Sequence, residues 1–210
     1  MYIMFKAIKK LVLPSALLAM CLGGTMVSAE TATIIGGSLT ATSTPMTFSD
    51  VTLDLLVNQT STAIGGIQID DERGNAQGWS YSVSATDFVS TFADPSDNSG
   101  DLTVAIPISA MKTIPTLLSE VAGQAVDPTY GPLLGSSITM STTPQSFINA
   151  SSGYGMGSYA AEMTFILTIP KTIPVVETTA AGSKYTAGDV VGIFAGTYTS
   201  TFAFTAGAGL

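Results

Sequence analysis

Asp70, Asp71, Glu72 and Arg73 place four consecutive ionisable residues in a chain of 210 residues, of which only 10% are charged. Arg73 is the only arginine, and Trp79, the only tryptophan, follows shortly with Tyr81. Neighbouring carboxylates suggest three kinds of chemistry. A pair flanking a glycosidic bond supplies acid–base catalysis. A spaced ladder of acidic side chains holds calcium. A carboxylate beside the arginine forms an ion pair that pins a turn. Successive residues of a strand point to opposite faces, so Asp70 and Asp71 need not converge as a catalytic pair. The segment also lacks the spaced Asp/Asn pattern of a calcium loop. The favoured reading is a solvated loop in which Asp70 or Asp71 pairs with Arg73. Aromatic faces meet sugar rings well, so Trp79 and Tyr81 are a candidate stacking platform. A lone tryptophan opening an alternating apolar strand is equally a core residue. The candidate ligand-contact set is therefore Trp79, Tyr81, Asp70 and Arg73, with no catalytic residue and no metal ligand assigned.

Composition removes most other chemistry. The chain has no histidine and one cysteine, Cys21, so the usual imidazole base, the commonest zinc ligand and, once a leader is removed, the thiolate are missing. No phosphate-cradling loop of Walker type occurs. Gly153, Gly155 and Gly157 alternate before a strand-like run rather than a helix, which argues for a glycine-rich bend over a dinucleotide fingerprint. No cofactor is expected, and the chain is read as non-enzymatic.

The elements that position these residues are strands. Ile67 and Ile69 alternate with polar residues, residues 71–78 form a polar loop, and Trp79, Tyr81 and Val83 alternate with serines. This pattern predicts an antiparallel hairpin over residues 67–88. Further strands are predicted over 33–40, with Gly36 and Gly37 at a bulge, over 51–57, and over 102–108, where Pro107 suggests an edge or bulge. Others are expected at 138–140, at 159–169 and from Tyr198 to Phe204. Residues 93–100 are a turn cluster. Residues 113–135 read as a long proline-flanked loop with at most one helical turn at 116–121, and residues 171–190 as another loop. Short strands with threonine-rich outer faces indicate an all-β antiparallel β-sandwich, Ig-like or jelly-roll-like, in a single domain.

Residues 1–29 read as a signal peptide. Lys6, Lys9 and Lys10 precede an apolar run from Leu11 to Leu22, and Val27-Ser28-Ala29 supplies the small residues of a cleavage site. The run is too short to be a stable membrane span, which needs roughly 20 apolar residues. Met20 before Cys21 is bulkier than a lipid-attachment motif wants, so conventional cleavage is favoured. The domain at 30–210 then keeps only Arg73, Lys112, Lys171 and Lys184 against fifteen acidic residues. So acidic a surface does not hold a phosphate backbone, which argues against nucleic acid as a partner.

Several segments together resemble the WxL domain of Gram-positive surface proteins. They are Ile69-Asp70-Asp71-Glu72-Arg73-Gly74, Gly78-Trp79, Val83-Ser84-Ala85, Gly155-Met156-Gly157-Ser158-Tyr159, Ile169-Pro170 and Gly196-Thr197-Tyr198-Thr199-Ser200-Thr201-Phe202. They occur in the family's order across most of residues 30–210. The two name-giving Trp-x-Leu motifs are altered, to Trp79-Ser80-Tyr81 and Phe204-Thr205-Ala206, so the chain resembles a divergent relative. The resemblance implies a secreted protein at the cell wall or cell surface, associated non-covalently with peptidoglycan or another surface glycan, and possible contact with other surface proteins. A structural subunit of a surface or extracellular matrix assembly is the alternative.

Overall fold

The computed structural model describes residues 33–209. The expected leader at 1–29, its cleavage site and Cys21 lie outside the described residues. The strands are β1 (Leu39–Ser43), β2 (Gln59–Asp71), β3 (Trp79–Ala85), β4 (Phe88–Ala93), β5 (Asp101–Ile106), β6 (Met111–Gly123) and β7 (Leu133–Leu134). They continue as β8 (Ile138–Thr139), β9 (Gln145–Ala150), β10 (Gly157–Ile169), β11 (Thr172–Thr178), β12 (Val190–Gly192) and β13 (Phe202–Ala208). Among the described residues the only helical element is a 3-10 turn at Ile108–Ala110, and no helix is long and apolar enough to cross a membrane.

One layer is the sheet β1-β2-β10-β6-β8, built around three thirteen-residue strands. The other comprises β13-β3-β9-β7 and β12-β11-β5-β4. These two sheets are joined because the segment leading into β13 runs along β4 as well as β3. Thr86 N–H donates to Thr201 O at 3.0 Å, and Val89 and Thr199 exchange bonds of 2.8 and 3.0 Å. Every strand pairing is antiparallel. The protein is an all-β antiparallel sandwich.

Alternation explains the layering. Tyr159, Ala161, Met163, Phe165 and Leu167 of β10 point inward, while Glu162, Thr164 and Thr168 take the outer face. Ala63, Ile67 and Ile69 of β2 join them, and Trp79, Tyr81 and Val83 of β3 face them from the other layer. Rings interlock across the gap: Phe165 meets Phe202 edge-on at 5.7 Å, and Trp79 lies 6.1 Å from Tyr159. Aromatic pairs of this kind contribute about 0.5–1.5 kcal/mol beyond area burial.

The structure revises several local expectations. Residues 67–88 are not a hairpin: β2 pairs with β1 and β10, whereas β3 pairs with β13 and β9. The connection is an arch from one layer to the other. Inward alternation on both sides of a loop is common to the two arrangements, and the 72–78 loop is longer than the usual hairpin turn. The first strand begins at Leu39 rather than Thr33, and Gly36 abuts the Arg73 backbone, where a Cβ would stand 2.1 Å from Arg73 O. Residues 51–57 alternate yet form no strand, and Leu55, Leu56 and Val57 are exposed. Residues 113–123, expected as part of a loop, belong to the strand β6. Pro115 is accommodated where the register with β10 shifts beside Met163, and no strand pairs with that edge of β6 beyond Thr113 among the described residues. A proline that donates nothing is tolerated at such a place. β5 is an inner strand between β4 and β11, and Pro107 merely ends it. Residues 172–178, also expected as loop, form β11.

Candidate functional site

The carboxylate that pairs with Arg73 is Asp71. As an inward residue at the end of β2 it is 3% exposed. Arg73 Nε donates to Asp71 Oδ1 at 2.8 Å and Nη2 to Oδ2 at 2.9 Å, a bidentate fork. Arg73 Nη2 also donates to Gly78 O at 2.8 Å, and the Arg73 backbone N–H to Asp71 Oδ1 at 3.2 Å. The hydrogen bond to Asp71 raises the guanidinium above its ordinary value. Strand-end carboxylate, arginine fork and the carbonyl before Trp79 thereby tie the two ends of the arch together. Asp70 points to the other face of the sheet, where Gln68 Nε2 donates to its Oδ1 at 3.1 Å. Asp70 and Asp71 are thus separated by the sheet and form no catalytic dyad.

Trp79 and Tyr81 are both fully buried. Neither ring offers a free face for a sugar; both belong to the core, the other role open to them in the sequence. Trp79 Nε1 donates to Gly155 O at 2.8 Å. Gly155 has φ +79°, and a Cβ there would approach Trp79 Nε1 to 2.7 Å. The glycine bend before β10 is therefore shaped around the indole. Tyr159 donates its hydroxyl to Gln124 O at 2.6 Å, and burial pushes it up to about 12. Tyr81 packs edge-on against Phe147 at 5.2 Å and stacks on Phe204 at 6.1 Å. The Tyr81 hydroxyl finds no hydrogen-bond partner among the described residues, and burial pushes it well above the usual phenol range. Tyr81→Phe is accordingly expected to raise stability by about 1 kcal/mol, because it removes a buried polar atom that makes no bond. Urea unfolding checks this, and a loss of stability shows that the hydroxyl is satisfied.

Other carboxylates are also committed to structure. Asp94, fully buried in the turn after β4, accepts from Ser96 N at 2.7 Å, Ser96 Oγ at 2.7 Å, Asp97 N at 3.3 Å, Thr178 Oγ1 at 3.3 Å and Ser183 Oγ. Burial alone pushes its carboxyl up, but the bonds from Ser183, Ser96 and Asp97 outweigh it and hold it at about 2. Asp97 is lowered by Ser99 and by the backbone N–H of Gly182. A catalytic acid needs the opposite shift. These residues instead tie the β4–β5 turn to the 179–183 loop. Since the folded value of Asp94 lies below an unfolded value of about 3.9, its contribution is complete above pH ~4 and disappears as pH falls through about 2. Thermal melts between pH 5 and 2 are expected to fall more steeply for wild type than for Asp94→Asn. Parallel curves exclude this role.

Among the described residues no group of three or more histidine, cysteine, aspartate or glutamate side chains is arranged to hold a metal. At the far end of the sandwich from Trp79, residues 46–53 and 193–200 border a cavity of about 620 Å³. Phe48, Phe88, Phe194 and Phe202 wall it, and Ser49 and Asp50 contribute polar groups. Among the described residues that line it none is a lysine or an arginine. Residue patterns did not disclose this cavity, because Phe48 and Phe194 lie in irregular segments whose proximity is purely tertiary; aromatic residues within Thr/Gly-rich loops are the one sequence signal.

Comparison with family models, with curated proteins and with solved structures returned no match.

Proposed function

We propose that this chain is a non-enzymatic exported protein of the Gram-positive cell surface, held non-covalently at the peptidoglycan wall by its β-sandwich. The observation that carries the reading is that three of the segments that resemble the WxL domain, 69–74, 78–79 and 155–159, meet at one end of the sandwich. Arg73, held by Asp71, grips Gly78, Trp79 bonds Gly155, and Gly157 lies opposite Asp71 in the β2–β10 ladder. These three pieces, far apart in sequence, form one end of the domain, and 169–170 and 196–202 lie towards the other. Trp79, Tyr81 and Arg73 serve the domain as framework, and contact with wall polymer falls to the surface around them. Sedimentation of the purified domain with purified peptidoglycan tests the reading. Retention that soluble wall fragments reverse supports it, and a folded protein left wholly in the supernatant overturns it.

The free edge of β6 favours a second reading, a structural subunit of a surface or matrix assembly. Leu117 and Val121 are 55% and 60% exposed on that strand, and an unpaired edge is a template for another strand. Light scattering separates the readings: concentration-dependent oligomers favour the subunit, and a strict monomer argues against it.

A further inference from the structure

The exposed aromatic surface at the arch end is a pair of tyrosines that the Trp-x-Leu motifs do not include. Tyr130 and Tyr154 stack with centroids 4.9 Å apart and planes 21° from parallel. Tyr130 is 49% exposed and Tyr154 half-buried. They come from different loops, and both loops are fastened. Ser151 N–H donates to Tyr130 O at 2.9 Å, joining the two directly. Asp127 Oδ1 accepts from Thr129 N at 2.7 Å and Tyr130 N at 2.9 Å. Gly153 N–H donates to Ala76 O of the arch at 2.7 Å. Gln124 spans the other loop, donating from Nε2 to Gly153 O at 3.1 Å and accepting from Met156 N at 3.3 Å. A ring fixed in this way loses little freedom on binding, which is what makes tyrosine effective in recognition.

The surroundings narrow the ligand. The three loops at 72–78, 124–132 and 151–156 carry the amides of Asn75, Gln77 and Gln124 and the hydroxyls of Ser152 and Thr129. Their one cation, Arg73, is occupied by Asp71. These loops offer no free positive charge to a phosphate, and Asp127 disfavours any anion. An exposed flat ring on loops that carry amides and hydroxyls matches a sugar, whose C–H face is apolar and whose edge carries hydroxyl and acetamido groups. Resting on the wall-associated reading above, we infer that Tyr130, backed by Tyr154, is the stacking platform for a neutral N-acetylated saccharide ring of the wall glycan.

Two measurements test the assignment. The first is sedimentation with purified peptidoglycan; the second is titration with soluble N-acetylglucosamine oligosaccharides, followed by the NMR signals of the tyrosine rings. Tyr130→Ala is expected to weaken binding about 3- to 10-fold at unchanged melting temperature, and Tyr130→Phe, which keeps the face, to bind nearly as wild type. Tyr154→Ala is expected to fall between them. The assignment is overturned if Tyr130→Ala binds as wild type, if Tyr130→Phe loses as much as alanine, or if the oligosaccharide leaves the Tyr130 signals unmoved. Wild type that shifts with the oligosaccharide yet ignores peptidoglycan refutes the wall reading and leaves the saccharide platform standing.

Discussion

Arg73→Ala is expected to destabilise the fold by about 3–5 kcal/mol, the loss typical of removing one partner from a buried ion pair. The Asp71 side chain is 1% exposed beside an arginine side chain that is 11% exposed. Truncating the arginine deletes both arms of the fork and the bond to Gly78 O, leaving a carboxylate with the Arg73 backbone N–H as its remaining donor. Most of the loss is the stranded charge rather than the worth of the pair. The double variant Asp71→Ala/Arg73→Ala should therefore be less damaging than the sum of the singles, a coupling that a double-mutant cycle in urea reads directly. Arg73→Lys rescues only part, since an ammonium cannot span two carboxylate oxygens and a carbonyl with the geometry of a planar fork. A loss below about 1 kcal/mol would mean that water reaches Asp71 once the arginine is gone. The same substitution is expected to loosen the loop bearing Tyr154, because Ala76, which holds Gly153, belongs to the arch that Arg73 closes.

The amount of this arrangement legible in the sequence followed the reach of the forces involved. Alternation reports which side of a strand is buried, so the inward sets Tyr159–Leu167 and Trp79–Val83 were readable, and with them the all-β class. It does not report which strand lies alongside. Ile67, Ile69, Trp79 and Tyr81 present the same pattern whether β2 and β3 pair within one sheet or face each other across the core, and the arch was accordingly read as a hairpin. Leu53, Leu55 and Val57 alternate as well as any strand but join no sheet, and Asp54 instead accepts from the Leu56 N–H at 2.8 Å to form a tight turn. Pro115 suppressed a strand that exists because β10 provides a partner along almost its whole length and the register shift absorbs the proline. At the candidate site the ion pair was readable because its members are two residues apart. Which carboxylate would be chosen depended on facing: Asp71 points inward and Asp70 outward. The Tyr130–Tyr154 stack was beyond reach because nothing local joins residues that meet only after β9 and β10 are in place.

Trp79→Ala is expected to cost about 3–5 kcal/mol, the range for deleting a large buried aromatic side chain, and it removes a contact that organises residues some seventy positions away. The indole fills the space between β3 and β10 beside Tyr159, and its N–H is the partner of the Gly155 carbonyl in a bend whose Gly153, Gly155 and Gly157 all have positive φ. Truncation therefore opens a cavity and leaves that carbonyl unpaired, and a domain with a typical total stability of 5–15 kcal/mol loses a large share of it. Trp79→Phe separates the two effects: it keeps most of the packing and deletes the donor, for an expected loss of about 1–3 kcal/mol. If Trp79→Phe matches Trp79→Ala, the hydrogen bond dominates; if it matches wild type, packing does. Binding assays on these variants have meaning only below their melting temperatures, because an unfolded Trp79→Ala would fail to sediment with peptidoglycan whether or not the tryptophan touched the polymer. At a temperature where Trp79→Phe is fully folded, its retention is expected to equal that of wild type while Tyr130→Ala falls. That contrast distinguishes a tryptophan that builds the end of the sandwich from a tyrosine that uses it.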